Sequence, residues 1–272
     1  MPTFAGKFHQ NIIAPLLECR IFYNSKNIIL DTARNLKYTI KGMTRMQTQP
    51  PRLLTIGSSC INRFQFDFFQ DRTPDTAHYF IRSLFESNII SLVGTEAILQ
   101  LALKQELLPA IRDISAYHVA WDALIFNRHL PDVCFYHETE TAQNFAKPGE
   151  KERLVSKLCH QAGPLVQPRT GGRMHLIWSN IQPNLPHAVE NLMAWQHFQL
   201  TEERHQTIKS LACALFGSDT RFTFISVAQD LDPGLAHEPD VQIVDLPRGD
   251  TYEGPPRLFD TLLSEIISKA SA

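Results

Sequence analysis

Short apolar runs rich in β-branched and aromatic residues alternate with longer stretches of helical periodicity after residue 51 of this 272-residue chain. The runs predict strands at residues 52–56, 132–136, 174–178, 221–227 and 241–246. The longer stretches predict helices at residues 61–70, 78–92, 96–108, 150–161, 201–216 and 256–268. Strands that alternate with helices are typical of a mostly parallel sheet with helices on both faces. We therefore expect a three-layer α/β domain.

The helix predicted at residues 201–216 has a signal at each end. Thr201 offers a hydroxyl that can cap the first turn, and Glu202 and Glu203 place carboxylates near the positive end of the helix dipole. Gly217 follows the last turn and can adopt the left-handed conformation there.

The first 50 residues differ from the rest because they carry seven basic and two acidic residues. Pro50 and Pro51 then favour extended backbone and remove hydrogen-bond donors, which places a boundary there. We predict a helical N-terminal extension over residues 1–50 and an α/β domain over residues 51–272. The basic residues form either a solvated face of an extension packed on the domain or an arm that contacts an anionic membrane surface or a protein partner.

The composition excludes several classes of protein. A net charge of −2 and the lack of a glycine-rich phosphate loop argue against nucleic acid as the main partner. The five cysteines are an odd number without a CxxC motif, so we expect neither a disulfide framework nor a zinc site, and no cofactor. No stretch of about 18 apolar residues is available to cross a bilayer. We expect a cytoplasmic protein.

Polar and reactive side chains cluster after four of the predicted strands. Ligands of open parallel sheets bind outside the carboxyl ends of the strands. The candidate catalytic residues among them include His137, which follows the second strand, and Asp250, which follows the last. The residues expected to contact substrate are Gly57, Ser58, Arg63, Ser179, Asn180, Gln182 and Tyr252.

Cys60 is the candidate nucleophile. It precedes a predicted helix, whose dipole and unpaired amides stabilise a thiolate, and the amides of residues 59–61 can face a developing oxyanion. Gly57 permits close backbone approach. Ser59 is a rival nucleophile. The alternative is that Cys60 is a small apolar residue between a strand and a helix.

His137 is the candidate base. It directly follows the run DVCFY, so we expect it at the same sheet edge as Cys60, with Asp250 to orient it. The other interpretation of His137 is a surface histidine in an acidic loop.

Four segments resemble, in order and spacing, an uncharacterised bacterial family labelled as papain-like cysteine peptidases: LLTIGSSCINRFQFDFF, CFYHETE, EKERLVSKL and MHLIWSN. The family's G-x-x-C motif and F-D pair fall here on Gly57 with Cys60 and on Phe66 with Asp67. The resemblance covers roughly residues 52–230 and implies Cys60 as nucleophile and His137 as base.

The first segment also resembles SGNH-like proteins of polysaccharide biosynthesis loci, which place G-S-C or G-N-C where hydrolases place G-D-S. The D-x-x-H that such hydrolases carry before the final helix is replaced here by GDTYEGPP. This second resemblance implies an esterase or O-acyltransferase, or a member that has lost catalysis.

Three functional hypotheses follow. The first is acyl transfer or hydrolysis by Cys60 on a small-molecule, peptide or glycan substrate. The second is an SGNH-like esterase or O-acyltransferase acting on polysaccharide, with Ser59 or Cys60 as nucleophile. The third is a non-catalytic glycan- or protein-binding module in which GSSC is only a tight turn.

Overall fold

The computed structural model describes residues 51–86, 88–121, 123–168, 173–249 and 257–271. The predicted N-terminal extension lies outside these ranges. The strands are β1 (Arg52–Thr55), β2 (Ile89–Ile90), β3 (Tyr117–Ala120), β4 (Leu124–Asn127), β5 (Leu130–Phe135), β6 (Met174–Ser179), β7 (Arg221–Val227) and β8 (Val241–Val244). The α-helices are α1 (Ile61–Arg72), α2 (Leu92–Leu103), α3 (Leu107–Arg112), α4 (Thr139–Gln143), α5 (Glu150–Val166), α6 (Leu185–Val189), α7 (Glu202–Phe216) and α8 (Asp260–Ser271).

Four of the five predicted strands form one parallel sheet in the order β1-β6-β7-β8. Arg52 pairs with Met174 at one end of the β1-β6 ladder, and Thr55 pairs with Ile177 at the other. The α/β class expected from the sequence is confirmed.

Both faces of this sheet are buried under helices. On one face Leu53, Ile177 and Ile225 pack in a cluster with apolar residues of α1 and α8. On the other face Leu54 and Phe224 belong to a larger cluster that includes residues of α2, α5 and α7. The side chains of successive strand residues point to opposite faces, so near-continuous apolar strands need a helical layer on each side. The expected three layers are present.

The fifth predicted strand belongs to a second sheet, which is antiparallel and has the order β2-β5-β4-β3. Ile90 pairs with Val133 and Ile89 with Cys134. Our expectation that residues 132–136 join the parallel sheet is therefore wrong. The pattern of an apolar run does not distinguish a parallel partner from an antiparallel one.

The helix predicted at residues 78–92 is also wrong. A 3₁₀ helix at Pro74–Tyr79 is followed by irregular backbone and by β2. The backbone amides of this segment donate to distant carbonyls, from Ile81 to Leu53 at 2.8 Å and from Leu84 to Gln161 at 3.1 Å. These tertiary hydrogen bonds replace the local ones of a helix.

One helix end follows its sequence signal, and two others differ from the prediction. The Oγ1 atom of Thr201 accepts from the amide of Arg204 at 3.3 Å, as predicted for the cap of α7. Gly217 after that helix has a φ of +110°, but its ψ of 156° is extended instead of left-handed. Helix α2 begins at Leu92, earlier than predicted, because Ser91 caps it by accepting from the amide of Gly94 at 3.1 Å.

Candidate active site

The GSSC turn connects β1 to α1 at the carboxyl edge of the parallel sheet. Its first residue, Gly57, has a φ of +122°, and an added Cβ would lie 3.1 Å from both the carbonyl oxygen of Ile90 and Oγ1 of Thr95. Only glycine meets both requirements without strain. The turn delivers Cys60 to the position that precedes the first residue of α1. The positive end of the helix dipole, which stabilises a thiolate, is therefore at Cys60.

Three buried side chains fix the shape of this turn. The hydroxyl of Ser58 donates to the carbonyl oxygen of Ser179, and the hydroxyl of Ser179 donates to Oδ1 of Asn62. The amide of the Asn62 side chain donates back to the carbonyl oxygen of Gly57. The structure thus brings together two predicted residues, Ser58 and Ser179, and adds Asn62, which the sequence analysis missed. Its signal was an amide residue two positions after Cys60, in the first turn of the predicted helix.

Cys60 and Ser59 differ in their surroundings. Cys60 is 6% exposed, whereas Ser59 is 1% exposed. The Oγ atom of Ser59 lies 3.4 Å from the amide of Ile61, where it caps the start of the helix. Both candidate nucleophiles are therefore buried residues, and Cys60 is the slightly more exposed of the two.

Asn180 and Gln182, which we expected to contact substrate, hold neighbouring strand ends together. The side chain of Asn180 donates to Oγ of Ser226 at 3.0 Å and accepts from the amide of Val227 at 3.0 Å. The guanidinium of Arg248 donates to the carbonyl oxygens of Asn180 at 2.9 Å and Gln182 at 2.7 Å. The Oε1 atom of Gln182 is buried and has no hydrogen-bond partner among the described residues.

His137 does not share a sheet with the GSSC turn, because β5 belongs to the antiparallel sheet and β1 to the parallel one. The residue is exposed, and its ring meets that of Tyr136 edge to face at a centroid distance of 5.5 Å. Desolvation is the main cause that lowers the pKa of His137. The charge of Glu138 raises this pKa, and the charge of Lys157 lowers it further. The imidazole therefore stays neutral at pH 7, as a base requires.

Asp250 and Tyr252 lie outside the described residues, so their predicted roles stay predictions. Arg63 lies in the first turn of α1, where its Nε donates to Asp67 at 2.9 Å and its Nη1 to Glu86 at 3.5 Å.

The structure adds a second histidine that carries a carboxylate partner. The Oδ2 atom of Asp132 makes two hydrogen bonds. One is from the hydroxyl of Ser91 at 2.8 Å, and the other is with Nδ1 of His197. When Nδ1 is the donor in this contact, the lone pair of Nε2 is available as a base. The side chain of His197 is 34% exposed, so part of the imidazole is open to solvent.

The pair of Asp132 and His197 lies next to segments that contact the GSSC turn. The amide of Ile90, the neighbour of Ser91, donates to the carbonyl oxygen of Ser58 at 2.9 Å. On the other side, the side chain of Asn180 donates to the carbonyl oxygen of Phe198, the neighbour of His197, at 3.4 Å. Segments adjacent to this pair therefore contact the turn on one side and the neighbouring end of β6 on the other.

Sequence analysis missed His197 because its partner is 65 residues away in the chain. The histidine lies in a 3₁₀ helix, Trp195–Phe198, whose short length leaves no periodicity to detect. A carboxylate partner supplied by another element has no local signal.

Within the described ranges, no three histidine, cysteine, aspartate or glutamate side chains converge in a way that would hold a metal ion. None of the helices in that part of the chain combines the length and the apolar character needed to cross a bilayer.

Comparisons of the chain with models of protein families, with curated proteins and with solved structures found no match. The resemblances to cysteine peptidases and to SGNH-like proteins therefore stay predictions. Any functional conclusion has to come from the site itself.

Proposed function

We propose that this chain catalyses acyl transfer or hydrolysis with Cys60 as the nucleophile. The observation that carries the proposal is the position of Cys60 at the start of a 12-residue helix, at the end of a turn that buried hydrogen bonds hold in one shape. A helix N-terminus lowers the pKa of a thiol and supplies amides for an oxyanion. A fixed turn keeps both in place during the reaction.

We assign the base to His197, oriented by Asp132. In this scheme Nε2 takes the proton of the thiol while sulfur attacks the carbonyl carbon and the carbonyl electron pair moves to oxygen. When that electron pair returns, the bond to the leaving alkoxide or amine breaks, and His197 returns the proton to it. Water or an acceptor hydroxyl then displaces sulfur from the acyl-enzyme, with the imidazole as base once more. His137, the base implied by the sequence, is the alternative.

Two observations favour this scheme over the other hypotheses. Ser59 is the more deeply buried of the two residues, and its hydroxyl oxygen accepts from the amide of Ile61, which argues against a serine esterase. The amide of Asn180 is engaged with Ser226 and Val227, so it is not available to bind a glycan.

Alkylation by iodoacetamide, followed residue by residue with mass spectrometry across pH, tests the nucleophile. We expect Cys60 to react with an apparent pKa below 7. Cys134 is an internal control, since burial raises the pKa of its thiol to about 12. If Cys60 in the folded protein is inert, or titrates like an ordinary thiol near pH 8.5, roughly the reference value, the proposal is wrong.

Turnover of p-nitrophenyl acetate by matched variants tests the assignment of the base. Cys60→Ala is expected to abolish turnover, while Cys134→Ala and Ser59→Ala retain it. His197→Gln is expected to reduce the rate by about 10²-fold or more and to raise the apparent pKa of Cys60. His137→Gln should leave both unchanged; the reverse result would transfer the role to His137.

A further inference from the structure

A second candidate site lies beside α1, which contributes Arg63, Phe66 and Asp67 to its lining. It is a small open pocket with a volume of about 40 Å³. Phe66 and Phe80 form apolar walls. The charged part of the lining consists of four side chains, Arg63, Asp67, Arg82 and Glu86. A buried water needs roughly 10–15 Å³ on this measure, so the pocket has room for about three waters or one carboxylate-sized group.

The two arginines of the pocket are incompletely paired. Nε of Arg63 donates to Asp67 at 2.9 Å, an ordinary length. The contacts of the terminal nitrogens are longer, at 3.5 Å from Arg63 to Glu86 and at 3.4 Å and 3.8 Å from Arg82 to Asp67 and Glu86. Charge-assisted hydrogen bonds from a guanidinium to an oxyanion are about 2.7–2.9 Å long. Both arginines therefore keep donor capacity for a further anion.

Glu86 controls the charge of this pocket. It is 5% exposed, and desolvation raises its pKa to about 7 although Arg82 and Arg63 lower it; Asp67 adds to the increase. With Glu86 ionised, its charge and that of Asp67 balance the two arginines. With Glu86 protonated, the pocket carries one net positive charge and a carboxyl that no longer competes for the guanidinium groups.

We propose that this pocket binds a small carboxylate through Arg63 and Arg82, and that protonation of Glu86 opens the site to it. A planar carboxylate matches the fork of a guanidinium and the small volume better than a tetrahedral anion does. The proposal stands apart from the chemistry of Cys60.

Titration of the full chain with trifluoroacetate, observed by ¹⁹F NMR, tests the site. This probe is fully ionised across the range used, so any effect of pH comes from the protein. We expect about ten-fold tighter binding at pH 6 than at pH 8, because a carboxyl with a pKa of about 7 passes from mostly protonated to mostly ionised between them. Sulfate, a tetrahedral and fully ionised anion, should bind more weakly. Equal affinity at the two pH values, or preference for sulfate, overturns the proposal.

Three variants locate the binding. Arg82→Gln, at a half-exposed side chain that tolerates substitution, should weaken binding at pH 6 by about ten-fold or more. Arg112→Gln is the matched control, since this arginine is exposed at the end of α3. Glu86→Gln should bind at pH 8 as the unmodified chain does at pH 6. Equal affinities of the two arginine variants would contradict the assignment, and Cys60→Ala should bind like the unmodified chain.

Discussion

The side chain of Asn62 is the centre of the hydrogen bonds that shape the GSSC turn. It accepts from the hydroxyl of Ser179 and donates to the carbonyl oxygen of Gly57, while it is itself 1% exposed. A buried polar group that loses its partner costs about 1–3 kcal/mol, because it keeps its desolvation penalty without a hydrogen bond. The position of Cys60 therefore depends on an uncharged residue that has no role in the proposed reaction.

Replacing Asn62 by alanine is expected to lower the free energy of unfolding by about 2–4 kcal/mol, since two buried groups lose their partner. Urea denaturation measures this. Asn144→Ala is the matched control: its side chain also donates to a carbonyl, that of Glu140 at 2.9 Å, but at an exposed site. The control should cost about 0.5 kcal/mol or less. Similar losses for the two variants would show that the buried hydrogen bonds contribute little.

The close crossing of α2 over β5 positions the carboxylate of Asp132. Gly94 lies in the first turn of α2, where an added Cβ would come within 2.6 Å of the carbonyl oxygen of Asp132 and 3.0 Å of that of Pro131. Asp132 itself has a φ of +56°. The backbone at both contacts has little freedom to move, so the glycine sets the distance between the helix and the strand that carries Asp132.

Gly94→Ala should therefore destabilise the protein by about 1–3 kcal/mol through overpacking. Helix propensity alone predicts the opposite sign, a gain of about 1 kcal/mol. Gly249→Ala, at a position with no atom within 4 Å of the added Cβ, is the control and should be nearly neutral. Thermal or urea unfolding decides between the signs. A stabilised Gly94→Ala variant would mean that the helix can move away from β5.

Two buried ionisable groups give the whole molecule opposing responses to pH. His175 in β6 is buried, with Nε2 2.9 Å from Oγ1 of Thr223, and desolvation lowers its pKa to about 4, with Arg221 acting in the same direction. The unfolded chain binds the proton near pH 6.5, so stability is lost as the pH falls from about 6.5 to 4. For Glu86 the folded state binds the proton more tightly, so stability is lost as the pH rises from about 4.5 to 7.

The free energy of unfolding should change little between pH 4.5 and 6.5, because each group contributes roughly 3 kcal/mol of opposite sign across its range. In His175→Gln we expect stability to fall as the pH rises through this range, and in Glu86→Gln to rise. Urea denaturation at several pH values measures both. If the two variants kept the profile of the unmodified chain, burial would not perturb these groups as described.

The local pattern was sufficient for much of the fold. Helices α1, α5 and α7 and the four strands of the parallel sheet follow from periodicity, apolar runs and capping residues, all of which are properties of adjacent residues. The GSSC turn could likewise be found from its glycine and its place between a strand and a helix. His175 lies within the strand predicted at residues 174–178 and is buried there.

Contacts between distant segments decided the rest. Residues 78–92 are not helical because amides of this segment donate to the carbonyls of Leu53 and Gln161, and β5 lies in an antiparallel sheet because it pairs with β2 and β4. Asp132 and His197 become a pair only when a β-strand and a 3₁₀ helix far apart in the chain meet. The sequence by itself determined the strands of the parallel sheet, helices α1, α5 and α7, and the place where a thiol precedes a helix, since those depend on neighbouring residues. Which histidine receives a carboxylate, and which carboxyl is desolvated between two arginines, depended on packing across the chain, and only the tertiary structure decided it.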